Sequence, residues 1–402
     1  MTIWSVPSDP WFFLDGRVNA PTGIAQYPHL CDLSSSTNTN GVAFNVRPPW
    51  QVAGVDYRVG INTGVTLLPV TGGGLPAGFT LDSVNKRVTF GASSGTLDGW
   101  DFTDTANGGV NYNLHNLGGT AAVIIQNCKF KQRAVNASGA MPIAPNSVSM
   151  SNLTVQYCEF DGNGSNMTFS DDLYMMHISN NGGLVQYCYF KNGASDCINI
   201  VGKSGDISSI IVRYNFCENL GLLAPTFGAD PAHADFLQSY VLTGGSGTSI
   251  NGLVCNFNTM YQPAASANSA SCNVGVSLDS MMLLQTGSAG AGGAGSINSP
   301  ECGYNTCVGI GATHYYFQAA AGHNTGGAWL EWVSLNGTSG NPINSPYIHD
   351  NYIYADATLS GSAGTGFTNG IAFYPSSGQF IVGQLYSKNV NMYNGSSYTT
   401  NP

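Results

Sequence analysis

One short pattern returns along most of this chain and constrains its fold more than anything else in it. It is plainest in Val123-Ile-Ile-Gln-Asn-Cys-Lys-Phe130, Leu153-Thr-Val-Gln-Tyr-Cys-Glu-Phe160 and Leu184-Val-Gln-Tyr-Cys-Tyr-Phe190. Carried outward, the slot of Cys128, Cys158 and Cys188 becomes Trp100 upstream and Asn215, Asn258, Asn305 and Asn351 downstream. Three residues before it stand Leu97, Ile125, Val155, Val185, Val212, Cys255, Cys302 and Ile348. Two after it stand Phe102, Phe130, Phe160, Phe190, Cys217, Met260, Cys307 and Ile353. All of these flanking positions are apolar, so three columns stay in step: this is a repeat, with a period of roughly 30 residues that lengthens to roughly 45 after Asn215.

Within each period the apolar spacing suits short strands broken by Gly, Asn and Ser, not the 3.6-residue rhythm of a helix. Each unit can bury one face only by stacking on the next, as solenoids do. Stacked parallel strands lie about 4.8 Å apart, so equivalent positions form ladders of like side chains. The Asn run predicts a turn residue that takes the left-handed conformation and hydrogen-bonds the neighbouring coil.

These columns resemble the right-handed parallel β-helix of pectate-lyase-like proteins and phage tailspikes, over roughly 260 residues of the chain. The resemblance implies an all-β fold of about eight or more coils with an irregular or β N-terminal cap. The expected division is residues 1–95 as an N-terminal arm and small β cap, 96–375 as the β-helix, and 376–402 as a closing segment.

Charged residues make up only 8% of the 402, against about 25% in average soluble proteins, and Asn, Ser, Thr and 52 Gly stand in their place. Uncharged ladders leave the flanks suited to packing against copies of the same chain, and a homotrimer is expected. A net charge of −10 with 12 Lys plus Arg argues against a nucleic-acid partner, which would need a basic stripe. No run reaches the roughly 18 apolar residues of a membrane span. The first ten residues lack a basic stretch, and Pro7 and Pro10 break any apolar core, so no export signal is legible there. An exterior-style fold without one predicts either a trimmed signal or release by lysis within a phage particle, and an extracellular, virion-surface location.

Residues 1–50 are irregular and rich in Pro and aromatics, with Trp4, Trp11, Phe12, Phe13 and Trp50, which predicts a docking arm for other virion proteins or a plug over the open end of the solenoid. Alternation from Val55 to Phe90, with turn signals at Asn62-Thr-Gly64 and Val84-Asn-Lys86, predicts a few strands before the first clean register. Past Ser376 the ladder weakens. Of the 10 Cys, those sharing columns are expected to be small core residues, because in-register neighbours have parallel Cβ directions. Cys31 and Cys272 lie off the columns and are the better candidates for a bridge.

Each coil carries a second run that opens on an acid or polar turn, and stacking these runs would align Asp172, Asp196, Asp235 and Asp279 in one column. Nearest neighbours would lie about 4.8 Å apart and alternate ones about 9.6 Å. Like charges that close raise one another's pKa, which would supply an acid and a base, and the two spacings fit either stereochemical course of glycoside hydrolysis. Alternatively, each Asp opens a strand by capping backbone N–H groups. The run His233-Ala-Asp-Phe-Leu-Gln238 is similar to a His-x-Asp-x-x-Gln run of β-helix proteins that act on polysaccharides, with Phe236 where many of them carry Gly. Only His233, Asp235 and Gln238 match that run, which implies a catalytic role for His233 and Asp235 and a ligand contact from Gln238; the stacked column adds Asp172 and Asp196 as candidate catalytic acids and Asp279 as a candidate ligand contact. Trp329 and Trp332 offer rings for sugar stacking. No cofactor is expected, although oxygen ligands for calcium abound in the Asp column. A lyase would need a basic residue, and Lys191, Lys203 and Arg213 are the cations between Arg133 and Lys388.

The first expectation for function is therefore a virion-associated tailspike, fibre or capsid-surface protein that binds a polysaccharide or cell-surface glycan. The second is a polysaccharide hydrolase or lyase, and the third a purely structural decoration protein.

Overall fold

Short runs with one apolar residue in two direct alternate side chains toward a common interior. The structure, a computed structural model, describes residues 21–33, 44–92, 94–107, 109–115, 122–133, 141–144, 152–164, 174–179, 181–193, 196–202, 206–220, 235–241, 248–262, 281–286, 295–309, 333–336, 341–355, 371–374, 381–382, 385–392, 395 and 397. Among them the chain forms four sheets in which each strand pairs with its equivalents one coil before and one coil after. The first sheet holds the run before the Cys/Asn slot, such as Leu153–Gln156 and Leu184–Gln186, and the second the run after it, such as Glu159–Asp161 and Tyr189–Lys191. The third holds strands such as Met176–Ile178, Ile198–Gly202 and Leu237–Val241. A shorter fourth sheet enters with Ile207–Ser208 and continues through Thr248–Asn251, Gly295–Asn298 and Ile343–Asn344. The chain visits the sheets in turn and then begins the next coil, an all-β, solenoid-like stack of parallel sheets.

The register reproduces the repeat columns. Leu97 pairs with Ile125, Ile125 with Val155, Val155 with Val185, and so on through Cys302 with Ile348. In the second sheet Phe130, Phe160 and Phe190 follow one another, then Cys217, Met260, Cys307 and Ile353. The Phe rings stack face to face at 4.4, 5.0 and 4.8 Å between centroids from Phe102 to Phe190. Each buried ring contributes about 1.5–3 kcal/mol from burial, and each stacked pair about 0.5–1.5 kcal/mol more. The column thiols are free and buried in this interior, and burial pushes Cys128 and Cys158 well above the ordinary thiol range.

The Asn column does half of what its residue type predicts. The left-handed residue at the first corner is the one before it: Tyr157, Tyr187, Tyr214, Phe257, Tyr304 and Asp350 all have φ between 49° and 57°. The Asn side chains instead turn inward and are wholly buried. Asn258 Oδ1 accepts the backbone N–H and Nδ2 of Asn215 at 3.1 and 2.9 Å, while its own Nδ2 donates to Val212 O at 2.9 Å. Asn305, Asn351 and Asn389 repeat the arrangement. A left-handed conformation costs a residue with a Cβ about 1–2 kcal/mol. Here stacking offsets that cost, because the corner aromatics form their own ladder, with Tyr157–Tyr187, Tyr187–Tyr214 and Phe257–Tyr304 at 5.4, 5.2 and 4.8 Å. Asn takes the left-handed role at the next corner, as Asn163, Asn192 and Asn219.

At the start of the stack, Phe79–Asp82 and Arg87–Phe90 form an antiparallel hairpin that begins the third sheet. Its Phe79, Val88 and Phe90 join the main core, and Asp82 closes the turn by accepting Asn85 N–H at 3.0 Å. Parallel pairing begins earlier than the expected boundary at 96, with Leu68 beside Trp100. It also runs later than 375: Ile381–Val382, Leu385–Ser387 and Val390–Asn391 add a further coil, in which Asn389 is a full rung of the Asn ladder. Here Tyr386 and Asn391 stand where the preceding coil has Ile348 and Ile353, so the apolar columns weaken.

The described part of the N-terminal segment packs along the side of the stack. Residues 44–69 lie lengthwise along the second sheet and its corner, from the last coil back to the first. Asn45 N–H donates to Met392 O at 3.0 Å, Gly60 N–H to Tyr187 O at 2.8 Å, and Leu68 N–H to Gly99 O at 2.8 Å. The segment forms a second apolar cluster with Phe216, Tyr261, Val308 and Met392. Cys31, a bridge candidate by its position, is an unpaired thiol inside this cluster, where burial pushes it up to about 12. Trp4, Trp11, Phe12, Phe13 and Cys272 lie outside the described residues.

Candidate functional site

The candidate acids sit where third-sheet strands begin. Asp196 and Asp235 each stand two residues before the paired Ile198 and Leu237, so they share a slot on consecutive coils. The register puts Tyr174 in that slot one coil earlier, because Met176 pairs with Ile198. Among the described residues the acids of this slot are Asp196 and Asp235. Asp172, His233, Asp279, Trp329 and Trp332 lie outside the described residues, as do Lys203 and the rest of the loops around them.

Asp196 Oδ1 accepts the backbone N–H of Asp235 at 2.9 Å, and both side chains are buried. A carboxylate so placed satisfies a donor that the strand start would otherwise leave open. One strand position inward, Asn199 pairs with Gln238, and Asn199 Nδ2 donates to Gln238 Oε1 at 3.0 Å. His177 precedes them in the same column, with its ring 6.4 Å from that of Tyr174 in an edge contact. Ile198 and Ile200 point into the core, so this amide column belongs to the opposite face of the strand. Tyr174, His177, Asp196, Asn199, Asp235 and Gln238 thus gather hydroxyl, imidazole, carboxyl and amide groups on three consecutive coils. All of them but His177 are buried, and the two acids lie one coil apart, about 4.8 Å.

Of the cations that a lyase would recruit, the two described, Arg213 and Lys191, are engaged in ladders. Arg213 Nε donates to Gln186 Oε1 at 3.1 Å, ending a chain in which Gln186 donates to Gln156, Gln156 to Gln126 and Gln126 to Asp98. Lys191 stands between Asp161 and Glu218 in register, with its ammonium 5.2 Å from the Tyr189 ring centre.

A titratable cluster that periodicity did not reveal lies at the far end of the stack. His349, only 3% exposed, has Nδ1 2.9 Å from Asp350 Oδ2 and Nε2 3.3 Å from Glu301 Oε1. Burial alone would lower its pKa, but the hydrogen bonds to Asp350 and Glu301 outweigh it and raise the imidazole above its ordinary range. The hydrogen bond from His349 in turn lowers Glu301, helped by Asn256. The ring lies over Gly303, where a Cβ would come 2.5 Å from Nε2. The signal was available in the columns: His349-Asp350 occupies the corner next to Asn351, one coil beyond Glu301. Among the described residues no group of three or more His, Cys, Asp or Glu side chains is arranged to hold a metal ion. Among them, too, no helix is long and apolar enough to cross a membrane. No family model, no curated protein and no solved structure matches this chain.

Proposed function

We propose that this chain is a right-handed parallel β-helix serving as a structural, glycan-binding component of a virion surface, as a tailspike, fibre or capsid-surface protein, in a homotrimer. The observation that carries this reading is the continuity of the ladders: the second sheet runs without interruption from Leu68–Pro69 to Val390–Asn391 among the described residues. Continuous ladders make a stiff rod with long faces. The right hand follows from the strong preference of parallel crossover connections for that sense. The amide column of Asn199 and Gln238, flanked by His177 and Tyr174, supplies donors and acceptors suited to hydroxyl-rich ligands. Binding of the full chain to bacterial surface polysaccharides, with loss in Gln238→Ala, tests it. Absence of binding to every glycan by a folded oligomer would leave the purely structural, decoration-protein reading.

A second reading, a polysaccharide hydrolase or lyase, is favoured by the shared slot of Asp196 and Asp235. The bond from Asp235 N–H to Asp196 weighs against it, because it gives Asp196 a structural task. Release of reducing ends by the wild type, and its loss in Asp196→Asn and Asp235→Asn with the fold intact, would make the protein an enzyme.

A further inference from the structure

A stack of coils in which each contacts only its neighbours has a weakness at its ends. Stability is then a sum of nearest-neighbour terms, and terminal units open first. The last coil here is thin: Leu385–Ser387, Ile381–Val382 and Val390–Asn391 are short, and each ends its sheet among the described residues. The N-terminal segment changes this arithmetic, because its contacts run across the stacking direction.

Its fastenings are spread over the whole height. Asn45 and Val46 donate backbone N–H groups to Met392 O at 3.0 and 3.2 Å. The Trp50 ring meets three corner-side rings on successive coils edge-on, Phe257, Tyr304 and Tyr352, at 6.2, 5.7 and 5.0 Å. Gly54, with φ +72°, lies against the Phe216 ring so closely that a Cβ would overlap it. Tyr57 meets Tyr187 at 6.2 Å, and the Arg58 guanidinium reaches Glu159 at 3.2 Å. Asn62 Nδ2 donates to Asn127 Oδ1 at 2.8 Å. The stretch 21–33 runs alongside and ties the strap to itself, with Gln26 Nε2 donating to Val59 O at 2.7 Å and Tyr27 N–H to Gly54 O at 2.8 Å.

We propose that the two stretches 21–33 and 44–62 act as a clasp: by tying the last coil to the first, they make the stack open as one unit instead of unwinding from its C-terminal end. The strap can seat only on a completed stack, since its partners span Asn127 to Met392. Opening of any coil beneath it must break aromatic and backbone contacts in other coils, which couples coils that share no ladder bond.

Native-state hydrogen exchange of the full chain, read peptide by peptide, tests this. In the wild type, amides of 301–309 and 347–355 are expected to be as well protected as those of 153–161. Trp50→Ala removes the anchor over three coils, and exchange of the two later peptides should quicken by about 100-fold relative to 153–161. Ile24→Ser, at an exposed position of the same strap, should leave all three unchanged. Uniform protection in Trp50→Ala would overturn the clasp, and so would a wild type already graded toward its C-terminal end. Should Trp50→Ala fail to accumulate as folded protein, Trp50→Phe is expected to give the same gradient at smaller size, and uniform protection there would refute the proposal equally.

Discussion

Changing Asn258 to Asp tests the inward Asn ladder more sharply than any truncation. The side chain keeps its shape, and Oδ1 can still accept Asn215 N–H and Nδ2 at 3.1 and 2.9 Å. The other end changes from a donor into an oxygen that faces Val212 O and Asn305 Oδ1, its former acceptors at 2.9 and 3.2 Å. Both acceptors lose a bond, and an ionised carboxylate in this buried slot has no cation beside it. The folded carboxyl is therefore held above its unfolded value of about 3.9. Below pH ~3.9 the acid is neutral in both states, can donate once, and costs about 1–2 kcal/mol for the bond it cannot make. As pH rises through the unfolded value, the unfolded chain ionises while the folded one resists, and the penalty grows by about 1.4 kcal/mol per unit. It levels off once the folded group ionises, at a total of about 3–5 kcal/mol. Urea unfolding of wild type and Asn258→Asp, compared at pH 4 and pH 7, measures the difference directly. An equal loss at both pH values would mean that water reaches the slot and that the ladder is not dry.

The His349 cluster should impart its own pH dependence. Its folded pKa lies above the ordinary 6.5, so its stabilisation is full below 6.5 and is lost as pH rises through the folded value. Glu301 is lowered from 4.5, so its share is present above 4.5 and is lost as pH falls through its folded value. Thermal midpoints against pH should show both limbs in the wild type, and the alkaline limb should vanish in His349→Gln. Gly303→Ala should abolish that limb as well, because the new methyl displaces the imidazole; a retained limb would show that the ring tolerates it. Phe160→Ala interrupts the Phe stack between neighbours at 5.0 and 4.8 Å and should cost about 3–5 kcal/mol by chemical denaturation.

The columns of the repeat were legible in the chain because a ladder is a local rule applied many times. Each coil must place an apolar residue at the same step, and Val155, Val185 and Val212 meet that condition whatever lies outside them. The thiols of Cys128, Cys158 and Cys188 were readable as core for the same reason. The corner was misassigned by one residue, since Tyr and Asn alternate there and only backbone geometry shows which takes φ near 55°. Of the candidate site, the shared slot of Asp196 and Asp235 was legible, because both acids stand two residues before paired strand positions.

The sequence alone therefore determined that this is an all-β chain of stacked strands with a low-charge surface, because those properties follow from composition and from repetition at short range. Only the tertiary structure decided where residues 44–69 go, that Asp196 serves a backbone donor, and that His349 meets Glu301. Those outcomes depend on contacts between segments far apart in the chain, Asn45 with Met392 above all. Such a contact forms only when the intervening coils have set the distance between its two ends, and no window of sequence contains that distance.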